Sequence, residues 1–435
     1  MKYSQFNSVV PFDDKFALYN AFSQKVIFLE ETLKDLLAAA VNEGVDNLQS
    51  IHPTFYDYLS SESFITADDT DEVDLVKQLV AKVDNNTNTY LLTINPSMNC
   101  NFKCWYCYET HVKGSMLDEH MVAKINKFVT ATASKEEMQF FALSFFGGEP
   151  LLYFKKDVVP IIENYAKQCT ANNISTSISF TTNGYLINDE FISFFKERNL
   201  SCSLQITLDG YREKHDLVRY VSASKGSYET IITNIKLLLM NGFYVRLRIN
   251  YTENNIEDTH KIGAEFSDIP AEIKDNLLLI DFHRVWQDDK IDNTYLVVGD
   301  NIDQMRTDGL NVSSTYVPNN VVESCYADKR NSAVINYNGD LFKCTARDFT
   351  TVARAGYLSE EGELIWENGY LEKRMNSKFK NKPCLTCPIL PICNGGCSQH
   401  AFEHMDREEY CVHSGDFNEK MRIVKAKVEE IVNAN

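Results

Sequence analysis

No stretch of this sequence approaches the roughly 18 uncharged apolar residues that a membrane-crossing helix needs. The opening segment, MKYSQFNSVVPFDD, has neither the basic nor the apolar region of a secretory signal. These absences lead to the expectation of a cytoplasmic protein with no membrane partner. Basic charge is scarce as well: 43 Lys and Arg stand against 61 Asp and Glu, a formal net charge of −18. Nonspecific nucleic-acid binding runs on counterion release by Lys and Arg, so no nucleic-acid partner is expected. Internal repeats and low-complexity tracts are missing too. The dense acidic run at 67–74 (ADDTDEVD) reads as a solvated linker or helix start.

What remains is a globular composition, 44% hydrophobic and 24% charged over 435 residues, enough for two or three domains. Residues 6–31 read as three short strands, SVVPF, FALYNAF and KVIFLEE, separated by turns. Leu29, Leu33, Leu36, Leu37 and Ala40 then recur at helical spacing. Pro53 opens a second helix running to Leu59, and 71–83 suggests a third. This small unit closes at the turn composition NNTNT, 85–89. From Tyr90 six strands follow: TYLLTIN, FALSFF, STSISFTT, CSLQITLDG, YVRLRINYT and LLLIDFHRV. Helical patterns over 119–131, 158–168, 189–198 and 228–241 lie among them. The alternation predicts a parallel β/α architecture with ligands at the carboxyl ends of the strands. An open dinucleotide-binding sheet fits the same alternation, but no G-x-G-x-x-G follows the first strand. After about residue 320 the apolar periodicity fades, and such a region needs covalent or metallic support. Residues 415–433 read as a terminal amphipathic helix.

Twelve cysteines in such a chain need a reason, because cytosolic disulfides are rare. Cys169 and Cys202 stand alone and read as small buried hydrophobes. The segment NPSMNCNFKCWYCYE places Cys100-x3-Cys104-x2-Cys107 directly after the first of the six strands. Three thiolates on one loop can hold three irons of a cubane and leave the fourth open to an outside ligand. Zinc would want a fourth protein ligand, and the loop offers none.

The triplet, with Tyr106 before its last cysteine, heads a series of motifs. Gly147-Gly148-Glu149-Pro150 ends the second strand, and TTNGYL, containing Asn183, ends the third. Thr207-Leu208-Asp209-Gly210 ends the fourth, ahead of His215-Asp216-Leu217-Val218-Arg219. Over roughly residues 88–290 the series resembles the radical SAM superfamily, with Thr207 where that family has serine. The resemblance implies that S-adenosylmethionine chelates the open iron. Reduction then yields a 5′-deoxyadenosyl radical, which removes a hydrogen atom from an unactivated carbon. It implies further that Tyr106, Gly147, Gly148, Glu149, Asn183, Thr207 and Arg219 surround the cosubstrate. A Thr207 hydroxyl and an Arg219 guanidinium would suit its polar and carboxylate groups. Arg248, in VRLRINYT, is a second candidate for the carboxylate, its plain alternative being a strand-end ion pair.

The later cysteines run Cys325-x13-Gly339-x4-Cys344, then Cys384-x2-Cys387-x5-Cys393-x3-Cys397, then Cys411. A zinc ribbon using Cys384 and Cys387 is the plain alternative. The seven-cysteine order resembles the SPASM extension of radical SAM enzymes, which implies two auxiliary clusters and so three [4Fe–4S] clusters in all. By that resemblance Cys384, Cys387, Cys393 and Cys411 hold the distal cluster, and Cys325, Cys344 and Cys397 the nearer one. No cysteine occurs in PNNVVES, just before Cys325. The nearer cluster is therefore expected to have an open iron, with Glu323 the alternative ligand.

The expected fold is α/β. A partial (β/α)6 TIM-like barrel spans 88–310, with a small winged-helix-like α+β domain at 1–87. A cysteine-rich iron–sulfur domain covers 311–414 and a C-terminal helix 415–435. The expected function is maturation of a ribosomally made precursor peptide by a thioether or carbon–carbon crosslink. The N-terminal domain would bind the leader by strand addition, and a reductase, flavodoxin or ferredoxin would supply electrons. One alternative is a protein oxidase like the anaerobic sulfatase maturases. Those enzymes carry Asp after the cysteine equivalent to Cys344, where this chain has Thr345, with Asp348 three residues on. Another is a non-catalytic iron–sulfur scaffold or electron carrier, against which the intact triplet and GGEP both count.

Overall fold

Thr89–Asn95, Phe140–Phe145, Ser175–Thr182, Ser203–Leu208, Tyr244–Tyr251 and Leu278–Arg284 are strands, and each pairs parallel to the next. They are the six that the alternation predicts. The computed structural model describes residues 1–222, 224–288, 294–313 and 324–433. Val312–Ser313 extends the parallel run beside Leu278–Arg284, and Ser332–Asn336 adds parallel to Thr89–Asn95. The sheet then continues antiparallel through Asp340–Phe342, Gly356–Leu358 and Leu364–Trp366. The fold is therefore α/β with a mixed sheet of 11 strands among the described residues. That arrangement is compatible with a partial barrel extended by hairpins.

The helices Glu119–Ala133, Val159–Ala171, Asp189–Glu197 and Tyr228–Met240 fall between the parallel strands. Two of them start on side-chain caps, Asp118 accepting from Met121 N–H and Asn188 from Phe191 N–H. Strand residues alternate between two faces. Phe141, Leu143, Phe145, Leu204, Ile206, Leu208, Val245, Leu247 and Ile249 are buried in one core with Ile125, Ile161, Phe195 and Ile235 from the helices. Each such side chain contributes roughly 1.5–3 kcal/mol. The intervening positions, among them Gln205, Thr207, Arg246, Arg248, Asp281 and His283, are polar and belong to the other face.

The chain divides into two compact units. One, Thr87–Thr315 with Asn331–Asn368, contains the mixed sheet. The other gathers Met1–Asn86, Tyr316–Arg330 and Gly369–Asn435. In it Asn7–Phe12, Lys15–Asn20 and Lys25–Leu29 form an antiparallel meander. A three-stranded meander needs packing to be stable. Leu18 and Leu29 pack with Leu37, Leu48, Phe55 and Leu59 of the helices that follow. Phe6, Val10, Ala17 and Tyr19 pack instead with Ile389, Ile392, Ile423, Val424 and Val428. The last three lie on the helix Phe417–Asn433, so the two ends of the chain share a core. No helix among the described residues is long and apolar enough to cross a membrane.

Candidate functional site

The cysteine loop leaves the carboxyl end of Thr89–Asn95 and is stapled at its base. Leu117 N–H donates to the Pro96 carbonyl at 3.1 Å, Ser97 Oγ to the Ser115 carbonyl at 2.7 Å, and Met98 N–H to Ser115 Oγ at 2.9 Å. At the tip Cys107 N–H donates to the Cys104 carbonyl at 3.1 Å. Cys100 and Cys104 are half-buried and Cys107 is exposed. Desolvation pushes the Cys100 thiol up to about 12 and Cys107 to about 11, and raises Cys104 as well. The Arg219 guanidinium acts against this rise on all three.

The GGEP turn meets this loop edge-on. Gly147 and Gly148 have φ of +77° and +45°, and a Cβ on Gly148 would stand 2.3 Å from the Asn99 carbonyl oxygen. Only glycine allows that approach. Gly148 N–H donates to the Glu109 carboxylate at 2.7 Å, and Glu149 N–H to the Asn99 carbonyl at 2.9 Å. The Glu149 side chain is fully buried. It accepts from Leu151 N–H at 3.0 Å, Thr182 Oγ1 at 2.6 Å and Asn183 N–H at 2.8 Å. Burial raises its pKa while these donors oppose the rise. Glu149 thus ties the GGEP turn to the TNG turn, and its carboxylate is committed inside the protein. Asn183 Nδ2 donates to Asn101 Oδ1 at 2.8 Å, one residue past Cys100.

Tyr106 links the loop to the fourth and fifth strands. Its hydroxyl donates to Asp209 and accepts from Arg219 Nη2 at 2.8 Å and Asn250 Nδ2 at 3.0 Å. Arg219 Nε also pairs with Asp209, both side chains being buried. The turn that delivers Arg219 rests on His215, whose Nδ1 accepts from Asp209 N–H at 3.1 Å. Its Nε2 then donates to Ser227 Oγ at 2.9 Å, and that hydroxyl donates to the Arg219 carbonyl at 2.8 Å. Burial holds His215 well below the usual imidazole range, so it stays neutral. Arg248 differs. Its Nε donates to Asn250 Oδ1 at 2.9 Å, and no carboxylate among the described residues pairs with it. Burial lowers its pKa. Thr207 is its partner in register on the neighbouring strand. The ion pair that served as the plain alternative for Arg248 is made by Arg219.

In the other unit Cys384 and Cys387 are buried, and Cys393 and Cys411 half-buried. Burial pushes Cys384 up to about 11 and Cys393 to about 12, and the thiols of Cys387 and Cys411 add to both shifts. These four are electrostatic neighbours, and Cys393 Sγ stands 3.6 Å from His413 Nε2. Cys325 and Cys397 are exposed in that unit, while Cys344 is half-buried in the sheet-bearing unit. Glu323 lies outside the described residues. Cys169 and Cys202 are buried in the sheet's core, as expected of isolated cysteines.

The donor set fits an iron–sulfur cluster and S-adenosylmethionine. Three soft thiols share one loop, and metal binding favours the thiolate that burial alone opposes. Both side-chain atoms of buried Asn95, and Nδ2 of Asn101, have no hydrogen-bond partner among the described residues. Asn95 stands against the glycine cradle, where a Cβ on Gly147 would meet it at 2.7 Å. No three His, Cys, Asp or Glu side chains among the described residues converge on a single-ion position. A cubane, by contrast, takes each thiolate on a different iron. Sequence reasoning missed Asp209, Asn250, Asn101 and Glu109. Asp209 lies inside the TLDG motif, shortly before Arg219, but the motif does not say that the two pair with each other.

Residues 94–262 match the model of the Radical SAM superfamily. The chain is 28% identical over 336 residues to the cysteine-type anaerobic sulfatase-maturating enzyme of Clostridium novyi, covering 70% of this chain and 86% of that protein. Its fold is similar to native anSMEcpe with bound AdoMet, with a TM-score of 0.56 at 17% identity, over 78% of this chain and 99% of that one. It is also similar to Streptococcus suis SuiB bound to the precursor peptide SuiA, with a TM-score of 0.51 at 17% identity, over 91% and 95% of the two chains.

Proposed function

Because this chain carries a radical SAM domain within a radical SAM/SPASM architecture, that of an oxidoreductase, we propose that it oxidises a residue in a peptide or protein by AdoMet radical chemistry. Cys100, Cys104 and Cys107 hold the cluster that binds S-adenosylmethionine, which when bound supplies the 5′-deoxyadenosyl radical. The observation that carries the reading is the convergence of the thiol loop, the Gly147–Gly148 cradle and the Tyr106–Asp209–Arg219 network at the strand ends. The cradle brings backbone polar groups close to the cosubstrate. Thr207 offers it a hydroxyl, and Arg248, which makes no ion pair among the described residues, offers a guanidinium. Arg219 holds Tyr106 in place from within. Two auxiliary clusters complete three [4Fe–4S] clusters, one of them on Cys384, Cys387, Cys393 and Cys411. A reductase or a flavodoxin or ferredoxin supplies the electrons.

The sulfatase-maturating relatives support side-chain oxidation of a Cys or Ser residue in a protein more than they support crosslinking. One observation favours the crosslinking reading. Position 345 is Thr, and the nearest acid, Asp348, is committed to Thr110, accepting from its N–H at 2.8 Å and its Oγ1 at 2.7 Å. On that reading the strand Lys25–Leu29, paired along one edge only among the described residues, receives a leader peptide as an added strand. SuiB with its bound precursor peptide lends support. Mass spectrometry of Cys- and Ser-bearing peptides after anaerobic turnover separates the outcomes. Replacement of sulfur by oxygen, or oxidation of a serine to an aldehyde, supports the first. A thioether or carbon–carbon bond with loss of two hydrogens supports the second. Absence of 5′-deoxyadenosine rejects both.

A further inference from the structure

The strand faces away from the core carry one acid–base pair that the site described so far does not use. In Leu278–Arg284, His283 Nε2 lies 2.7 Å from Asp281 Oδ2, the two residues sharing a face at a spacing of two. Register sets Asp281 beside Arg248, and His283 beside Asn250. Asn250 donates to the Tyr106 hydroxyl, and Tyr106 sits between Cys104 and Cys107. His283 is therefore one residue pair and one hydrogen bond from the thiol loop, at the carboxyl end of its strand. Its side chain is about a third exposed.

The remaining acids and imidazoles near the site are engaged. Asp209 serves Tyr106 and Arg219, Glu149 serves three donors, Glu109 serves Gly148 N–H, and Asp348 serves Thr110. His215 is locked between Asp209 and Ser227, and His111 Nε2 faces the Cys107 thiol at 3.5 Å. With Nε2–H given to Asp281, His283 has Nδ1 left over as an acceptor, and that nitrogen has no partner among the described residues. Burial works to raise the Asp281 pKa, but His283, Arg246 and Arg248 hold it below the ordinary value, so the carboxylate is charged. The charged groups around the imidazole are Asp281 on its own strand and Arg246 and Arg248 on the neighbouring one. A carboxylate that fixes the tautomer and orientation of an imidazole is the arrangement of a general base.

We propose that His283, oriented by Asp281, is the general base of the reaction, taking on Nδ1 the proton that the substrate releases as its radical is oxidised. The proposal rests on the function given above and holds for either product. Oxidation of a side-chain carbon bearing a hydroxyl or thiol to the corresponding carbonyl or thiocarbonyl gives up one hydrogen atom, one electron and one proton. Crosslinking, in which a carbon–hydrogen bond and a heteroatom–hydrogen bond are replaced by one carbon–heteroatom bond, gives up the same three. The hydrogen atom goes to the 5′-deoxyadenosyl radical, and the electron goes to a one-electron acceptor of the iron–sulfur class. The proton goes to His283.

Two arms test this on the anaerobically reconstituted full chain. In the first, diethyl pyrocarbonate labelling is followed at each histidine by peptide mapping at one fixed pH. His283 should label readily and buried His215 should not. D281N, which frees Nε2 from its carboxylate partner, should change the His283 labelling rate. A His283 as resistant as His215, or a labelling rate unmoved by D281N, overturns the pairing. In the second, synthetic Ser- and Cys-bearing peptides are turned over, and product is counted per 5′-deoxyadenosine. That ratio should fall about a hundredfold in H283Q, and added imidazole should restore part of it in H283A. An unchanged ratio in H283Q overturns the assignment. If the wild type makes 5′-deoxyadenosine and modifies none of the peptides, the peptide-substrate reading fails instead, and the labelling arm decides the dyad alone.

Discussion

Replacing Glu149 should loosen two turns at once, and the effect can be sized from its bonds. The carboxylate accepts from Thr182 Oγ1, Asn183 N–H and Leu151 N–H at 2.6–3.0 Å. Glu149→Ala removes both acceptor oxygens, and with them three hydrogen bonds, and leaves two backbone donors buried. Hydrogen bonds to charged groups contribute roughly 1.5–3 kcal/mol each, and an unsatisfied buried donor costs about 1–3 kcal/mol. Against this stands the cost of burying the carboxylate, which is why its pKa is raised. A net loss of about 3 kcal/mol is expected, which at 1.4 kcal/mol per decade is roughly a hundredfold. The chain comprises two compact units, so a global unfolding midpoint is a poor reporter. Amide hydrogen exchange reads the local opening directly. Protection at Leu151 and Asn183 should fall about a hundredfold in Glu149→Ala, and less in Glu149→Gln, whose Oε1 still accepts on one side. Unchanged protection at both amides in Glu149→Ala would refute the reasoning.

Arg219→Ala should cost about 3–5 kcal/mol of stability by stranding buried Asp209. Arg248→Ala should leave stability nearly unchanged and weaken S-adenosylmethionine binding tenfold or more; equal affinity in equilibrium dialysis would reject Arg248 as the carboxylate receptor. Asp157 is buried, neither of its oxygens meets a donor at hydrogen-bond geometry among the described residues, and burial pushes its pKa up to about 6. Because the folded pKa lies above the ordinary 3.8, ionisation costs the folded state more, and stability is lost as pH rises between the two values. Amide-exchange protection of the following helix, Val159–Ala171, should therefore show Asp157→Asn gaining on the wild type from about pH 4 to 6, by up to about 3 kcal/mol, and level above that. Gly148→Ala would drive a Cβ into the Asn99 carbonyl. Iron analysis after reconstitution should find one cluster fewer than the wild type's expected total of about 12 irons.

Much of the sheet was legible because each parallel strand carries a short apolar run bounded by turn residues, with a helix-period segment before the next. The spacing of Cys100, Cys104 and Cys107 is a weak signal by itself, and it gains weight from standing at the end of a strand ahead of the GGEP, TNG and TLDG turns. Arg219 and Asp209 stand in one motif stretch, but residue types and spacing do not say whether the guanidinium turns to the cosubstrate or to that nearby carboxylate. His283 passed as part of a strand, LLLIDFHRV, since nothing in that string says which face looks toward Tyr106. The shared core of Val10 with Val424 joins residues more than 400 positions apart, and local periodicity carries no trace of such a pairing. The GGEP resemblance marks Glu149 as a ligand contact. Its three internal donors come from two separate turns, which only the packed structure places around it.

The central claim is that Cys100, Cys104 and Cys107 support reductive cleavage of S-adenosylmethionine. Formation of 5′-deoxyadenosine by the anaerobically reconstituted full chain under dithionite, measured beside a variant with all three cysteines replaced by Ala, tests it directly. The wild type should form the nucleoside. The variant should form none, and should lose one cluster's worth of iron while retaining the rest. A variant that still makes 5′-deoxyadenosine, or a wild type that binds a full complement of iron and makes none, would contradict the account.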